Sequence, residues 1–244
     1  MEIDETIKNW FNEIENKLQQ RGQPKNNIDN MTFASLSLID NYLNGILMIL
    51  NNGRRLPAMA LLRVINQFAS RIEWVLMGCN EEESELQNRF DRWELSSCED
   101  KCKFLKKIVE FYEGEEKTQV ENTIKIYKQE IDKLKKAGVK ELPQTEQILE
   151  EVFGTKMIAI GQYSQLHEAI HLDLMVLGKT FKNNGTSYMY DGDVDEKIDD
   201  LKFECLICAH RFFKEICRYY KLDLLIQKIE NEFKTLTPKS YMKN

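Results

Sequence analysis

Apolar residues recur at steps of three and four along most of the chain, the spacing that places side chains on one face of a helix. Ile3, Ile7, Trp10, Phe11, Ile14 and Leu18 form the first such stripe, so residues 1–20 are expected as a helix, a candidate peripheral one that packs on the rest. A polar break, Arg21-Gly22-Gln23-Pro24-Lys25-Asn26-Asn27, separates it from an apolar stretch over about 31–51. Gly53, free to adopt the left-handed conformation, should cap that second helix. Pro57 suits a first helical turn, and the run that follows to residue 77 carries Leu61, Leu62, Ile65, Phe68, Ile72 and Val75 without a breaker. This third helix is expected near the centre of the fold.

Asn80 followed by Glu81, Glu82 and Glu83 predicts a helix start, because a short polar cap and early carboxylates satisfy free amides and oppose the macrodipole. That helix should reach about residue 94, with Ser97 capping another over 98–112. Residues 115–137 predict a highly charged helix stopped by Gly138, with Val120, Ile124, Ile126, Tyr127, Ile131 and Leu134 inward and a solvated charged face outward. Leu142-Pro143-Gln144-Thr145 turns into a helix over 146–153, and a long helix over 156–177 follows. Residues 179–193 form the longest polar stretch, of the kind that serves as a lid or binding loop. Helices over 194–220 and 222–235 and a frayed tail at 237–244 end the chain. No repeat, low-complexity block or domain boundary stands out. The expectation is one all-α domain over 1–244, a single helical bundle of about eight or nine helices, with the third helix and the helix carrying His171 at its centre.

Composition narrows the classes. Glycine and proline total 15 of 244 residues, about half of average usage, too few turn residues for a many-stranded sandwich or barrel. Lys and Arg number 34 against 40 Asp and Glu, a net charge of −6, so any surface that binds phosphate must be local. The start, Met1-Glu2-Ile3-Asp4-Glu5, is acidic where a signal peptide is basic, and no apolar run approaches a membrane span. A cytoplasmic protein without membrane contact is expected.

The densest chemistry is His167-Glu168-Ala169-Ile170-His171, a His-Glu-x-x-His motif. On a helix its imidazoles share one face and can bind one zinc ion, while Glu168 can act as general base toward the bound water. Glu196 is the candidate third ligand, and Asp200 completes a Glu-x-x-x-Asp pair like that of thermolysin-like zinc peptidases, where the aspartate steadies a histidine. Against this zinc hydrolase reading, such enzymes hold substrate along a strand beside the motif helix, and Met157-Ile158-Ala159-Ile160 fits a helix better. Cys205, Cys208 and His210 invite a metal reading too. The helical apolar pattern around them, with Phe203, Leu206, Ile207, Phe212 and Phe213, favours small core thiols, and no metal or other cofactor is expected on the preferred reading. Bases and aromatics mix over 211–221 as on nucleic-acid surfaces, but at helical spacing that mixture fits core plus a solvated rim. No phosphate-cradling glycine loop, dinucleotide fingerprint or nucleophile elbow is present.

Tyr163-x-x-Leu166-x-x-x-x-His171, together with Arg55-x-x-Ala58-x-x-Leu61-Leu62-Arg63, resembles an uncharacterised bacterial all-helical family. Its members carry an Arg-bearing Ala/Leu helix and, about a hundred residues later, a Tyr-x-x-Leu-Ser-x-x-x-His signature. The resemblance spans roughly residues 35–175. The family's serine is His167 here, and its glutamate one turn after the arginine is Gln67. That family is similar to the helical HEPN group, which includes ribonucleases of toxin and phage-defence systems and non-catalytic relatives. The resemblance implies an RNA-binding or RNA-cleaving protein of defence or stress response, in which a histidine moves protons and an arginine stabilises phosphorane charge. The group's usual site, an arginine four to six residues before a histidine, is absent. Arg63 and His171 would therefore have to meet through folding, with Tyr163 beside them and Lys179 or Lys182 available for phosphate. The alternative for that pair is a buried structural hydrogen bond. A third reading is a non-catalytic interaction module that binds a partner protein or forms a homodimer, through the 47–50 stripe of Leu47 and Leu50 or through the outer side of the C-terminal helices.

Overall fold

The computed structural model describes residues 3–80, 83–155, 181–183, 188–190 and 198–238. The chain is all-α in class. Eight α-helices lie among the described residues: α1 (Ile3–Gln19), α2 (Asn27–Asn51), α3 (Arg55–Met77), α4 (Glu83–Ile108), α5 (Gly114–Lys136), α6 (Thr145–Phe153), α7 (Ile198–Tyr219) and α8 (Asp223–Leu236). The helix expected over 156–177 lies outside the described residues. Short 3-10 turns occupy Gly78–Asn80 and Val109–Phe111. Two short strands, β1 (Phe181–Asn183) and β2 (Tyr188–Tyr190), pair antiparallel with Phe181 opposite Tyr190. They fall in the stretch expected to be loop. The sequence signal for pairing there is Asn184-Gly185 next to Tyr188-Met189-Tyr190.

The residues cluster into two compact units, 1–76 with 145–244 and 77–144. In the first unit the amino-terminal helix, expected at the periphery, is a core element: Ile7, Trp10 and Ile14 are fully buried. Helix α1 packs on α2, α7 and α8, and the Trp10 indole N–H donates to Glu232 at 2.7 Å. Helix α2 begins where Asn26 accepts from the Asp29 amide at 2.8 Å, satisfying a free donor of the first turn. It ends at Gly53, with φ 71°, and Arg54 N–H returns to the Ile49 carbonyl. By length and composition α2 is long and apolar enough to cross a membrane. Its apolar face is nonetheless packed inside the unit, with Ile39, Leu43 and Ile46 fully buried. The same packing removes one expected dimer face, because Leu47 and Leu50 are buried within the chain. Helices α3 and α7 are buried on nearly every side, and α7 places Phe212 and Phe213 in the core. Each such ring adds roughly 1.5–3 kcal/mol of hydrophobic stabilisation.

In the second unit, the two helices expected over 80–94 and 98–112 are one, α4. Leu95, Cys98 and Cys102 are buried at steps of three and four, so a continuous helix carries one inward stripe through the predicted break. Neither glycine nor proline interrupts 79–113, and serine inside a helix costs only about 0.5 kcal/mol. Ser97 is therefore not an N-cap. Helix α5 ends as predicted at Gly138, φ 79°, with Val139 N–H bonded to the Leu134 carbonyl. The Gly78 turn lies so close to the start of α4 that a Cβ on it would stand 2.9 Å from the Leu86 backbone.

Candidate functional site

Helix α3 carries a polar row inside an otherwise apolar surround. Arg63, Asn66, Ser70 and Glu73, at steps of three, four and three, lie on one face and are all buried, Arg63 at 9% exposure and Glu73 at 1%. Burying such groups costs free energy unless they bond to one another or to a ligand. Helix α7 supplies part of what they need. Arg211 donates to Glu73 at 3.3 Å and to Ser70 at 3.5 Å. Its guanidinium also lies 3.8 Å from the centre of the Phe153 ring, a cation–π contact in a desolvated setting. Helix α6, which brings Phe153, is anchored where the Trp74 indole N–H donates to Glu151 at 2.7 Å. The polar residues of α7, Glu204, Arg211 and Glu215, fall on one face with Cys208 between them.

The electrostatics of this cluster are unusual for a helical core. Burial pushes the Glu73 carboxyl up to about 7, against the opposing pull of Arg211, so it holds or releases a proton near neutral pH. Burial also raises Glu204 and Glu215 above the usual carboxylate range. Arg218 donates to Glu215, while the second Glu215 oxygen and the Nε and Nη1 of Arg211 have no hydrogen-bond partner among the described residues. Donors and acceptors at a desolvated position, with a carboxyl poised to titrate, suit recognition of a phosphate or movement of a proton.

The remaining chemistry of α7 is structural. His210 stacks on Phe233 of α8 with ring centres 4.0 Å apart and faces Trp10 at 6.3 Å. Burial, followed by nearby Lys214, Arg211 and Arg218, lowers its imidazole to about 4, so it is neutral at neutral pH. Cys205 and Cys208 are fully buried. Burial raises the Cys208 thiol to about 12, which leaves almost no thiolate to act as a nucleophile at neutral pH. No group of three His, Cys, Asp or Glu side chains able to hold a metal occurs among the described residues. The tyrosines that end the 211–221 run likewise serve the fold. Both tyrosine hydroxyls, of Tyr219 and Tyr220, donate to Asp29 at 3.1 and 3.0 Å, and Asp29 also accepts from the Lys25 amide at 2.9 Å.

Of the residues singled out from sequence, Arg63 is placed in the polar row. Tyr163, His167, Glu168, His171, Lys179 and Glu196 lie outside the described residues, as does the side chain of Lys182 in β1. Sequence reasoning passes over Asn66, Ser70 and Glu73, and reads Arg211 only as part of the 211–221 run of bases and aromatics. A signal for the first three does exist: polar residues at helical steps from Arg63 within a run otherwise rich in Leu, Ile and Val. The carboxylate of this helix sits at Glu73 and not at position 67, where the family resemblance would put it. No family model, curated protein or solved structure matches the chain.

Proposed function

We propose that this chain is a HEPN-like bacterial helical protein of defence or stress response that binds or cleaves RNA. The observation that supports the reading is the buried polar row of α3, which holds Arg63 with Asn66, Ser70 and Glu73 in a helix that also buries Leu62, Ile65, Ala69 and Ile72. On this reading Arg63 stabilises charge on the phosphorane, since a guanidinium offers two parallel donors to phosphate oxygens in a water-poor setting. His171 takes the proton of the attacking 2′-hydroxyl, the phosphate closes on that oxygen, and the 5′-oxygen of the next nucleotide leaves as a hydroxyl after accepting a proton. Tyr163 is the neighbouring donor. Glu73 and Arg211, bonded to each other, keep the far end of the same row polar.

The test is incubation of the purified full chain with a mixed RNA pool, followed by gel analysis and by anisotropy of labelled RNA. Wild-type protein should cleave or bind. If it cleaves, cleavage should be lost in His171→Ala with melting temperature retained, and Arg63→Lys, which keeps charge but not the planar fork, should cleave at least about tenfold more slowly. Wild-type protein that neither binds nor cleaves RNA overturns the reading. About one zinc per purified chain, bound through His167 and His171, would instead favour the hydrolase.

A further inference from the structure

The polar break after α1 meets the end of α7 where Arg21 donates to the Tyr220 carbonyl. Between this contact and the first turns of α2 lies a cavity of about 350 Å³ within the first unit, inside the range of about 300–1,000 Å³ typical of small-molecule sites. Three rings line it. Phe33 of α2 meets Tyr220 edge to face with ring centres 6.2 Å apart, and Tyr219 meets the same ring at 4.8 Å. Asp29, one turn before Phe33 on α2, ties the two tyrosines down: its Oδ1 accepts both hydroxyls, at 3.1 and 3.0 Å, and its Oδ2 accepts the Lys25 amide at 2.9 Å. Asp29 and Tyr220 are buried, while Phe33 and Tyr219 are half-buried. The tyrosine hydroxyls thus serve the fold, and their rings are held in place before any ligand arrives, which spares part of the ordering cost of binding.

Rings beside a carboxylate ordinarily suit a cationic amine, but here the chain fills that role itself. The Arg21 guanidinium lies 5.4 Å from the centre of the Tyr220 ring, and both Asp29 oxygens already accept hydrogen bonds. What the cavity still offers is positive. Arg21 and Lys25 are exposed and make no ion pair among the described residues. Two cations against the single, fully bonded Asp29 leave the lining with a net positive charge in a chain of net charge −6. Half-buried rings to stack on and free cations for an oxyanion, gathered in one cavity, match a base joined to a phosphate.

We propose that this cavity binds a nucleotide, with the base against the rings of Phe33 and Tyr219 and the phosphate on Arg21 and Lys25. A free mononucleotide and the phosphorylated end of an RNA share this chemistry, and the test separates them. The cavity uses none of the α3 row, so the inference does not depend on the RNA reading above.

The test is calorimetric titration of the full chain with the common ribonucleoside monophosphates, the matching nucleosides, inorganic phosphate and a short single-stranded RNA carrying a 5′-phosphate. A monophosphate should bind at least about tenfold more tightly than its nucleoside or phosphate alone, since hydrogen bonds to a charged group are worth a factor of ten or more. Arg21→Gln/Lys25→Gln should weaken the monophosphate about tenfold and leave the nucleoside unchanged. Phe33→Leu should weaken both by about tenfold. The two cations are exposed, so their variant should keep the wild-type melting temperature. Binding of the RNA alone, weakened by the same double variant, supports the cavity and assigns it to an RNA end. A nucleoside that binds as tightly as its monophosphate overturns the phosphate assignment. Binding of neither monophosphate nor RNA, or binding that the double variant leaves unchanged, overturns the proposal. Protein that binds a monophosphate here but neither binds nor cleaves the mixed RNA pool loses the RNA reading and keeps this one.

Discussion

Glu73 offers the sharpest test of the polar row, because its predicted consequence has a definite sign and window. Its carboxyl is 1% exposed and sits at about 7 in the folded protein against an ordinary 4.5, desolvation outweighing the Arg211 guanidinium. Between those pH values the folded chain keeps a proton that the unfolded chain has released. The stability this proton supports is whole below 4.5 and is lost as pH rises through 7. At about 1.4 kcal/mol per pH unit, the loss is about 3 kcal/mol. Glu73→Gln imitates the protonated group and does not titrate. The unfolding free energy of the variant, measured by urea denaturation, should therefore gain on wild type by about 3 kcal/mol between pH 4.5 and 7 and run parallel above that. Taking the difference between the two proteins removes the contribution of Glu204, whose carboxyl burial also raises; that of Glu215, whose charge helps raise Glu73, cancels only in part. His210 makes the comparison necessary. Its imidazole is lowered to about 4, so the stability of its neutral form is present above 6.5 and lost as pH falls through 4. That slope opposes the one from Glu73 and can leave wild type nearly flat. A difference curve that does not change with pH would refute the account of Glu73 as a desolvated, near-neutral carboxyl.

Two further outcomes concern the second unit. Ser97→Ala should leave stability unchanged or raise it by a few tenths of a kcal/mol, since alanine is the better helix former in the interior of α4; a loss of about 1 kcal/mol, measured by thermal denaturation, would restore Ser97 to an N-cap. Gly78→Ala should destabilise by about 1–3 kcal/mol, because the added Cβ would meet the backbone of Leu86 at 2.9 Å and main chain cannot rotate aside. An alanine variant with unchanged denaturant midpoint would show that the turn and α4 are less closely apposed.

The helices themselves were legible in the one-dimensional pattern, because a helix is stabilised by bonds within four residues and its buried stripe repeats at the same spacing. The stops at Gly53 and Gly138 were equally local, each needing a positive φ that glycine adopts freely. Local rules failed where a neighbour in space decided. Ser97 looks like a cap until Leu95, Cys98 and Cys102 are seen buried along one stripe, and the 1–20 helix looks peripheral until Trp10 meets Glu232 across 222 residues. The polar row is the clearest case. Helical spacing placed Arg63, Asn66, Ser70 and Glu73 on one face, but a polar face is ordinarily the solvated one. That it is interior, with Arg211 reaching Glu73 from 138 residues further along the chain, is not written in the helix, since burial is a property of what packs against a helix and not of the helix alone.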